Sequence, residues 1–221
     1  MGFGYIFYGL MMLLEVGVSV NSEYMIGLDI FPDVAGYLFM LAAARRLKDY
    51  SQYFEKMLIT LIPIIALSSG VLVFQVMGAF GIEASFVALM LENADYIIFP
   101  IRMLMLVFMF SGIRYLAEDV DMPKIARRAT VAIWLCAASH ITDVLVKLEG
   151  TSGVFKMSAA ALSILSMISV LLWYVFIIYS MYEVFSCYMY ICREGDEDMN
   201  RRKIFNPLEK LLESFQKNRQ K

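Results

Sequence analysis

Glu15, Asp33, Arg102, His140 and Asp143 are ionisable residues set in, or at the mouth of, strongly apolar stretches. A charge inside a membrane helix costs about 2.5–3.5 kcal/mol on insertion scales, so such groups turn inward and take partners. Helical spacing puts His140, Asp143 and Lys147 on one face, at i, i+3 and i+7. Three kinds of chemistry are open to this set. It can be a purely structural network, with Arg102 neutralising Glu15 or Asp33 and locking helices together. In that account Asp33 serves a first helical turn, where its charge meets the positive end of the helix dipole, and His140 is a neutral ring donating one hydrogen bond. Alternatively the groups line a pocket for a small ligand or ion. The third option is a proton path through Glu15, Asp33, His140 and Asp143.

Other chemistries find little to stand on. One histidine with scattered carboxylates has no zinc-ligand spacing, so no metal is expected. Ser139 precedes His140, but adjacent helix residues do not face each other, and no G-x-S-x-G elbow occurs. Gly150-Thr151-Ser152-Gly153 reads as a plain connection, not a phosphate loop. No catalytic residue and no cofactor are therefore assigned. A net charge of -2 without a basic stripe gives nucleic acid no footprint. Cys136, Cys187 and Cys192 form no C-x-x-C pair and read as inert thiols, not a disulfide framework.

The elements that must position these residues are membrane helices. The chain is 60% hydrophobic and 18% charged, against about 45–50% and about 25% in soluble domains. A hydrocarbon core of about 30 Å needs about 20 mostly apolar residues per helix. Six stretches qualify: Phe3–Val20, Pro32–Ala44, Met57–Met77, Tyr96–Leu116, Ala126–Val146 and Val154–Tyr182. The second is short, so either Arg45 and Arg46 snorkel or Tyr24–Phe31 dips into the membrane. The first lacks a basic n-region and a cleavage site, so it reads as a retained span.

Basic residues orient the bundle. Arg45, Arg46, Lys48 and Lys56 lie between spans two and three, and Arg114, Lys124, Arg127 and Arg128 between spans four and five. The remaining lysines and arginines follow span six, apart from Lys147, Lys156 and Arg102. The opposite loops carry Glu23, Glu83, Glu92 and Glu149. Both termini are therefore expected in the cytoplasm, and the ionisable cluster falls at a common depth in the outer leaflet.

Secondary features fill in the map. Ile82, Phe86, Leu89 and Met90 share a helical face, as a short interfacial helix on the outer surface or as part of a bent third span. Ala159, Ser163, Ser166 and Ser169 are small residues suited to helix packing. Trp173, Tyr174, Tyr179, Tyr182, Tyr188 and Tyr190 suit the inner interface, with Glu183 near the headgroups. A weak repeat pairs Asp29, Pro32 and Arg46 with Asp95, Pro100 and Arg114, explained by a duplicated hairpin or by reuse of the same helix start and stop signals. Residues 1–192 form the transmembrane domain and 193–221 a charged cytoplasmic tail. In the tail, Asn206-Pro207-Leu208-Glu209 opens a helix over about 206–217. Its stripe of Leu208, Leu211, Leu212 and Phe215 can rest on the inner membrane surface or pack on a protein partner.

Gly27-Leu28-Asp29-Ile30-Phe31-Pro32-Asp33-Val34-Ala35-Gly36-Tyr37, then Arg45-Arg46-Leu47, resembles a class of small multi-pass membrane proteins of Gram-positive, clostridia-like bacteria. Those proteins open their second span with D-x-x-P-D-x-x-G-Y, matched here by Asp29, Pro32, Asp33, Gly36 and Tyr37. The similarity covers Phe3 to Tyr53 and implies a bacterial plasma membrane location, with no catalytic residue. Physically, Pro32 fixes a helix start and disfavours helical geometry at Phe31. Gly36 permits close approach, and Tyr37 can anchor at the interface.

The sequence thus predicts an all-α, polytopic membrane bundle of six transmembrane helices with both ends cytoplasmic. The leading function is non-enzymatic: an accessory or sensing component acting through the bilayer and a protein partner at the tail. The alternative is a small transporter or an ion or proton conduit using the outer polar cluster. A reporter fused after Asp49 is expected to be active only on its cytoplasmic setting; an extracytoplasmic signal would invert the map.

Overall fold

The computed structural model describes residues 2–14, 17–21, 26–29, 33–80, 84–152 and 157–195. Its helices are α1 (Phe3–Met12), α2 (Asp33–Leu47), α3 (Gln52–Ala79), α4 (Ala84–Asp119), α5 (Pro123–Ser152) and α6 (Ala159–Gly195). Between α1 and α2, β1 (Gly17–Asn21) pairs antiparallel with β2 (Ile26–Asp29), Gly17 opposite Asp29 and Val18 opposite Leu28. Four helices are long and apolar enough to cross a membrane, over Gln52–Met77, Tyr96–Asp119, Pro123–Glu149 and Ala159–Ile191. The chain is a multi-pass membrane protein whose apolar helices meet the bilayer.

The first apolar run departs from expectation. It does not continue as helix to Val20; α1 stops at Met12 and β1 begins at Gly17. Gly17-Val18-Ser19-Val20-Asn21 alternates with period two and carries β-branched valines, so local preference favours a strand there. The 10-residue α1 and 15-residue α2 are about 15 and 22 Å long at 1.5 Å per residue. Neither alone matches a hydrocarbon core. Further on, residues 84–95 are neither a separate interfacial helix nor a bend of the third span. They form the opening turns of α4, which runs unbroken through Pro100. No glycine or proline interrupts 84–95, so helix propagates through them. Pro100 is thus internal to its helix and does not start one, while Pro32, its counterpart in the weak repeat, lies outside the described residues. The tail at 206–217 lies outside the described residues.

Each helix packs on the next in sequence, and α6 returns to α1, closing a ring. The connections explain the antiparallel turns. Ser51 opens α3, its hydroxyl accepting from Tyr53 N–H at 3.3 Å. After α4, Asp121 takes a left-handed φ of 54°, and Met122 N–H donates back to the Ala117 carbonyl at 2.7 Å. Pro123 then occupies the first position of α5, where its missing N–H costs nothing. At the other end Glu149, buried near the end of α5, accepts from Met157 N–H, and the Ser158 hydroxyl accepts from Ala161 N–H to start α6.

One end of the ring is basic. There Arg46 lies over the Tyr5 ring at 4.3 Å, Lys56 over Tyr53 at 5.4 Å and Arg128 over Tyr182 at 5.2 Å. The hairpin packs against α3 at the opposite end. Between them the core is built from Phe3, Ile6, Leu10, Tyr37, Met40, Leu61, Phe110 and Phe176, all fully buried. Tyr37 is in this core, not at an interface. Outward-facing side chains are apolar instead: Trp134 is 72% exposed, and Ile59, Ile62, Ile164 and Ile178 are also exposed, as lipid contact requires.

Gly36 does permit the approach its type suggests. A Cβ there would sit 2.9 Å from the Gly9 carbonyl oxygen, and one on Gly9 would sit 2.6 Å from Met40 Cγ. Small residues at a crossing let two membrane helices touch backbone to backbone. Gly36→Val is expected to force α1 from α2 and lower the thermal midpoint of the detergent-solubilised protein, by an overpacking cost of about 1–3 kcal/mol. Gly70→Ala, where an added Cβ meets nothing within 4 Å, is expected to leave the midpoint unchanged or raise it.

Candidate functional site

Five helices bring charged or polar side chains to a single cavity of about 470 Å³ at the hairpin end. Asp33 comes from the first turn of α2, Ser68 and Gln75 from α3, and Phe99 and Arg102 from α4. Ser139, His140, Asp143 and Lys147 come from α5, and Ser169, Trp173 and Tyr174 from α6. Of the residues singled out in the sequence, Asp33, Arg102, His140 and Asp143 line this one space. Glu15 lies outside the described residues. The shared face of His140, Asp143 and Lys147 is present as the spacing requires, and Lys147 Nζ reaches Asp143 at 3.2 Å.

Aromatic rings organise the cations. The Arg102 guanidinium lies 4.8 Å from the Trp173 ring centroid and 5.7 Å from that of Phe99. Lys147 Nζ lies 4.8 Å from the same Phe99 ring. Ring faces carry negative quadrupole charge, so they attract the cations lying over them. His140 joins the stack, 4.6 Å from Phe99 and 5.7 Å, edge-on, from Trp173.

The hydrogen bonds of His140 fix its ring. Nδ1 is 2.9 Å from the Cys136 carbonyl oxygen, which can only accept, so Nδ1 carries the hydrogen and donates. In the neutral ring Nε2 is then an acceptor. The ring is 2% exposed, and Nε2 has no hydrogen-bond partner among the described residues. Trp173 Nε1, a donor only, is also buried without an acceptor. Ser139 Oγ does approach Nδ1, at 3.4 Å, closer than adjacent helical positions suggest. Yet its hydroxyl donates to the same Cys136 carbonyl at 2.9 Å. Two donors sharing one carbonyl are not a nucleophile and its base.

Several residues were misread or missed from sequence. Trp173 and Tyr174, expected in the inner aromatic run, line the cavity. The small-residue stripe of α6 is not uniformly packed: Ala159 and Ser163 are exposed, whereas Ser169 is buried against the cavity. Ser68 and Gln75 had no signal beyond being polar in an apolar run. Glu183 faces neither headgroups nor water; it is 0% exposed, with neither carboxylate oxygen hydrogen-bonded among the described residues. The cation whose field reaches it is Arg128 on α5. Among the described residues no three histidine, cysteine, aspartate or glutamate side chains gather as a metal site.

No family profile, curated protein or solved structure matches this chain. The site therefore has to be read from its own geometry.

Two buried carboxyls differ in what they touch, and their replacement should differ in sign. Glu183→Leu removes a buried group without a hydrogen bond and is expected to stabilise by about 1–3 kcal/mol. Glu149→Ala removes the acceptor that ties the end of α5 to the start of α6, and should destabilise by about 1.5–3 kcal/mol, as for hydrogen bonds to charged groups. Thermal scans of both variants in one detergent give the comparison; a fall in both would show that Glu183 has a structural partner.

Proposed function

We propose that this chain is a non-enzymatic, multi-pass protein of a bacterial plasma membrane that recognises a small polar solute in an outward-facing cavity and serves as a sensing or accessory component. The observation that carries the reading is the convergence of Asp33, Arg102, His140, Asp143 and Lys147, from three helices, on one space also lined by α3 and α6. A network needed only for packing would close on itself. Here the cavity keeps about 470 Å³, within the range of about 300–1,000 Å³ of small-molecule sites.

In this proposal the chain makes six passes. The short α1 and α2 are continued toward the outer surface by the hairpin, and the basic end with both termini faces the cytoplasm. Membership of the clostridia-like class sharing the D-x-x-P-D-x-x-G-Y segment belongs to the same proposal. So does a protein partner at the tail, whose apolar stripe from Leu208 to Phe215 would receive it.

Transport, of a solute or of protons, is the second reading. Glu183 favours it, as a fully buried carboxyl on the same helix as Trp173, ten residues or about 15 Å deeper. Against it stand the rings between them. Phe176 is 5.6 Å from Trp173 and 6.0 Å from Phe110, and both phenylalanines are fully buried, so packed aromatic rings adjoin Trp173 on the side of Glu183.

The chain has two tryptophans, of which Trp134 faces outward at 72% exposure. Trp134→Phe therefore leaves Trp173 as a single reporter inside the cavity. In proteoliposomes, acrylamide is expected to quench Trp173 while brominated lipid does not. Quenching by the lipid alone would mean a dry, lipid-facing contact, and the binding reading would fall. Solute flux into the same vesicles would replace recognition by transport.

A further inference from the structure

We infer that a groove at the basic end, between the start of α5 and the end of α6, holds one anionic phospholipid. This site is separate from the hairpin-end cavity and does not depend on what that cavity binds. The groove measures about 950 Å³, at the upper end of the range of about 300–1,000 Å³ for small-molecule sites. Residues 122–125 and Arg128 form one wall, and α6 side chains from Tyr182 to Tyr190 the other. Both walls lie where apolar membrane-crossing segments end, Pro123–Glu149 and Ala159–Ile191, so the groove falls at headgroup depth. Tyr182 and Tyr190 are 53% and 60% exposed, so it is reachable from the surrounding lipid.

Charge selects the occupant. Lys124 and Arg128, at i and i+4, share a face of α5, and no aspartate or glutamate lines the groove. Neither cationic side chain makes a hydrogen bond or ion pair among the described residues. Arg128 lies over the Tyr182 ring at 5.2 Å, and its field reaches Glu183 without a hydrogen bond between them. The cleft beside the groove, which shares Met122 and Pro123, is different. There Arg114 pairs with Glu118 at 2.8 Å, and Asp121 accompanies Arg127. The groove thus carries positive charge that its own lining does not balance. Its remaining surface is largely apolar, through Ile125, Phe185 and Met189. A phosphodiester meets the two cations in charge-assisted bonds, and an acyl chain covers the apolar wall. A soluble anion leaves that wall uncovered, and a zwitterionic lipid brings a cation of its own. Basic pockets between membrane helices are suited to anionic headgroups for these reasons.

The test is native mass spectrometry of the full-length protein in detergent, titrated with phosphatidylglycerol or with phosphatidylcholine of the same acyl chains. Phosphatidylglycerol is expected to bind one per chain and at least about ten-fold tighter, since each cation near a membrane surface contributes about five-fold. Lys124→Gln should cost about five-fold, and adding Arg128→Gln should remove the remaining preference. Lys124 is exposed, so its single variant carries the test even where the double variant fails to fold. Arg127→Gln, next along the helix but lining the acid-balanced cleft, should change nothing. Equal binding of the two lipids overturns the site, as does an equal loss in Arg127→Gln. Displacement of phosphatidylglycerol by equimolar glycerol 3-phosphate would mean a soluble phosphate site instead. The rival occupant is the acidic run after α6, Asp196, Glu197 and Asp198. Asp196→Asn, Glu197→Gln and Asp198→Asn together are expected to leave lipid affinity unchanged; a rise would assign the groove to the chain's own tail.

Discussion

Hydrocarbon around the bundle leaves its polar groups nowhere to go but inward, and the placement of Arg102 follows from that. A guanidinium in a membrane helix must be held by protein, and two aromatic faces, Phe99 and Trp173, hold it here at 5.7 and 4.8 Å. The same constraint sorts the two tryptophans. Trp134 on α5 presents its ring outward, while Trp173 on α6 turns to the cavity. Hydroxyls obey it too, where a helix offers its own carbonyls. Thr60 donates to Met57, Ser69 to Ile65 and Thr142 to Ser139, at 2.8, 2.7 and 2.9 Å. Such back-bonding satisfies a hydroxyl wherever it faces, so these residues carry no information about a site.

Ring closure is what makes the constraint productive. With α6 returned to α1, five helices can turn residues toward one interior space without exposing them to lipid. The close crossing at Gly9 and Gly36 brings α2 in tightly on α1. That seats Asp33 at the start of α2, where the positive end of its dipole also favours a carboxylate. Packing at one glycine pair and electrostatics at one aspartate are therefore consequences of the same geometry. The hairpin is held by the same ring: both of its strands pack against α3.

What was legible in the sequence was whatever depends on period and depth. His140, Asp143 and Lys147 share a face because 3.6-residue periodicity leaves no other option once the segment is helical. Asp33 and Arg102 join them because both sit near the same end of their apolar runs. Less legible was anything that depends on where a run stops being helix. Val18 and Val20 look as apolar as the residues before them, so the turn to strand at Gly17 is hidden in overall hydropathy and visible only as alternation. Trp173 was misplaced for a related reason: its depth was measured from an assumed interface, whereas α6 runs on to Gly195. Ser68 and Gln75 could not be read at all, because one polar residue in an apolar helix has no period. Glu183 looked like a headgroup residue for the same reason as Trp173.

The contrast between Glu183 and the cavity decides how the two halves of the bundle should be understood. At the hairpin end, opposite charges and aromatic rings surround an open volume. Deeper along α6, Glu183 and Ser180 are fully buried polar side chains that make no hydrogen bond among the described residues, and neither lines the hairpin-end cavity. The fully buried Phe110 and Phe176 rings lie between the two regions. A continuous path would require those rings to part and every polar step to find a partner on the way. The proposed recognition site requires only that the cavity exchange its contents with water. For that reason the packed rings beside Trp173 weigh more heavily than the isolated carboxyl in choosing between the two proposed readings.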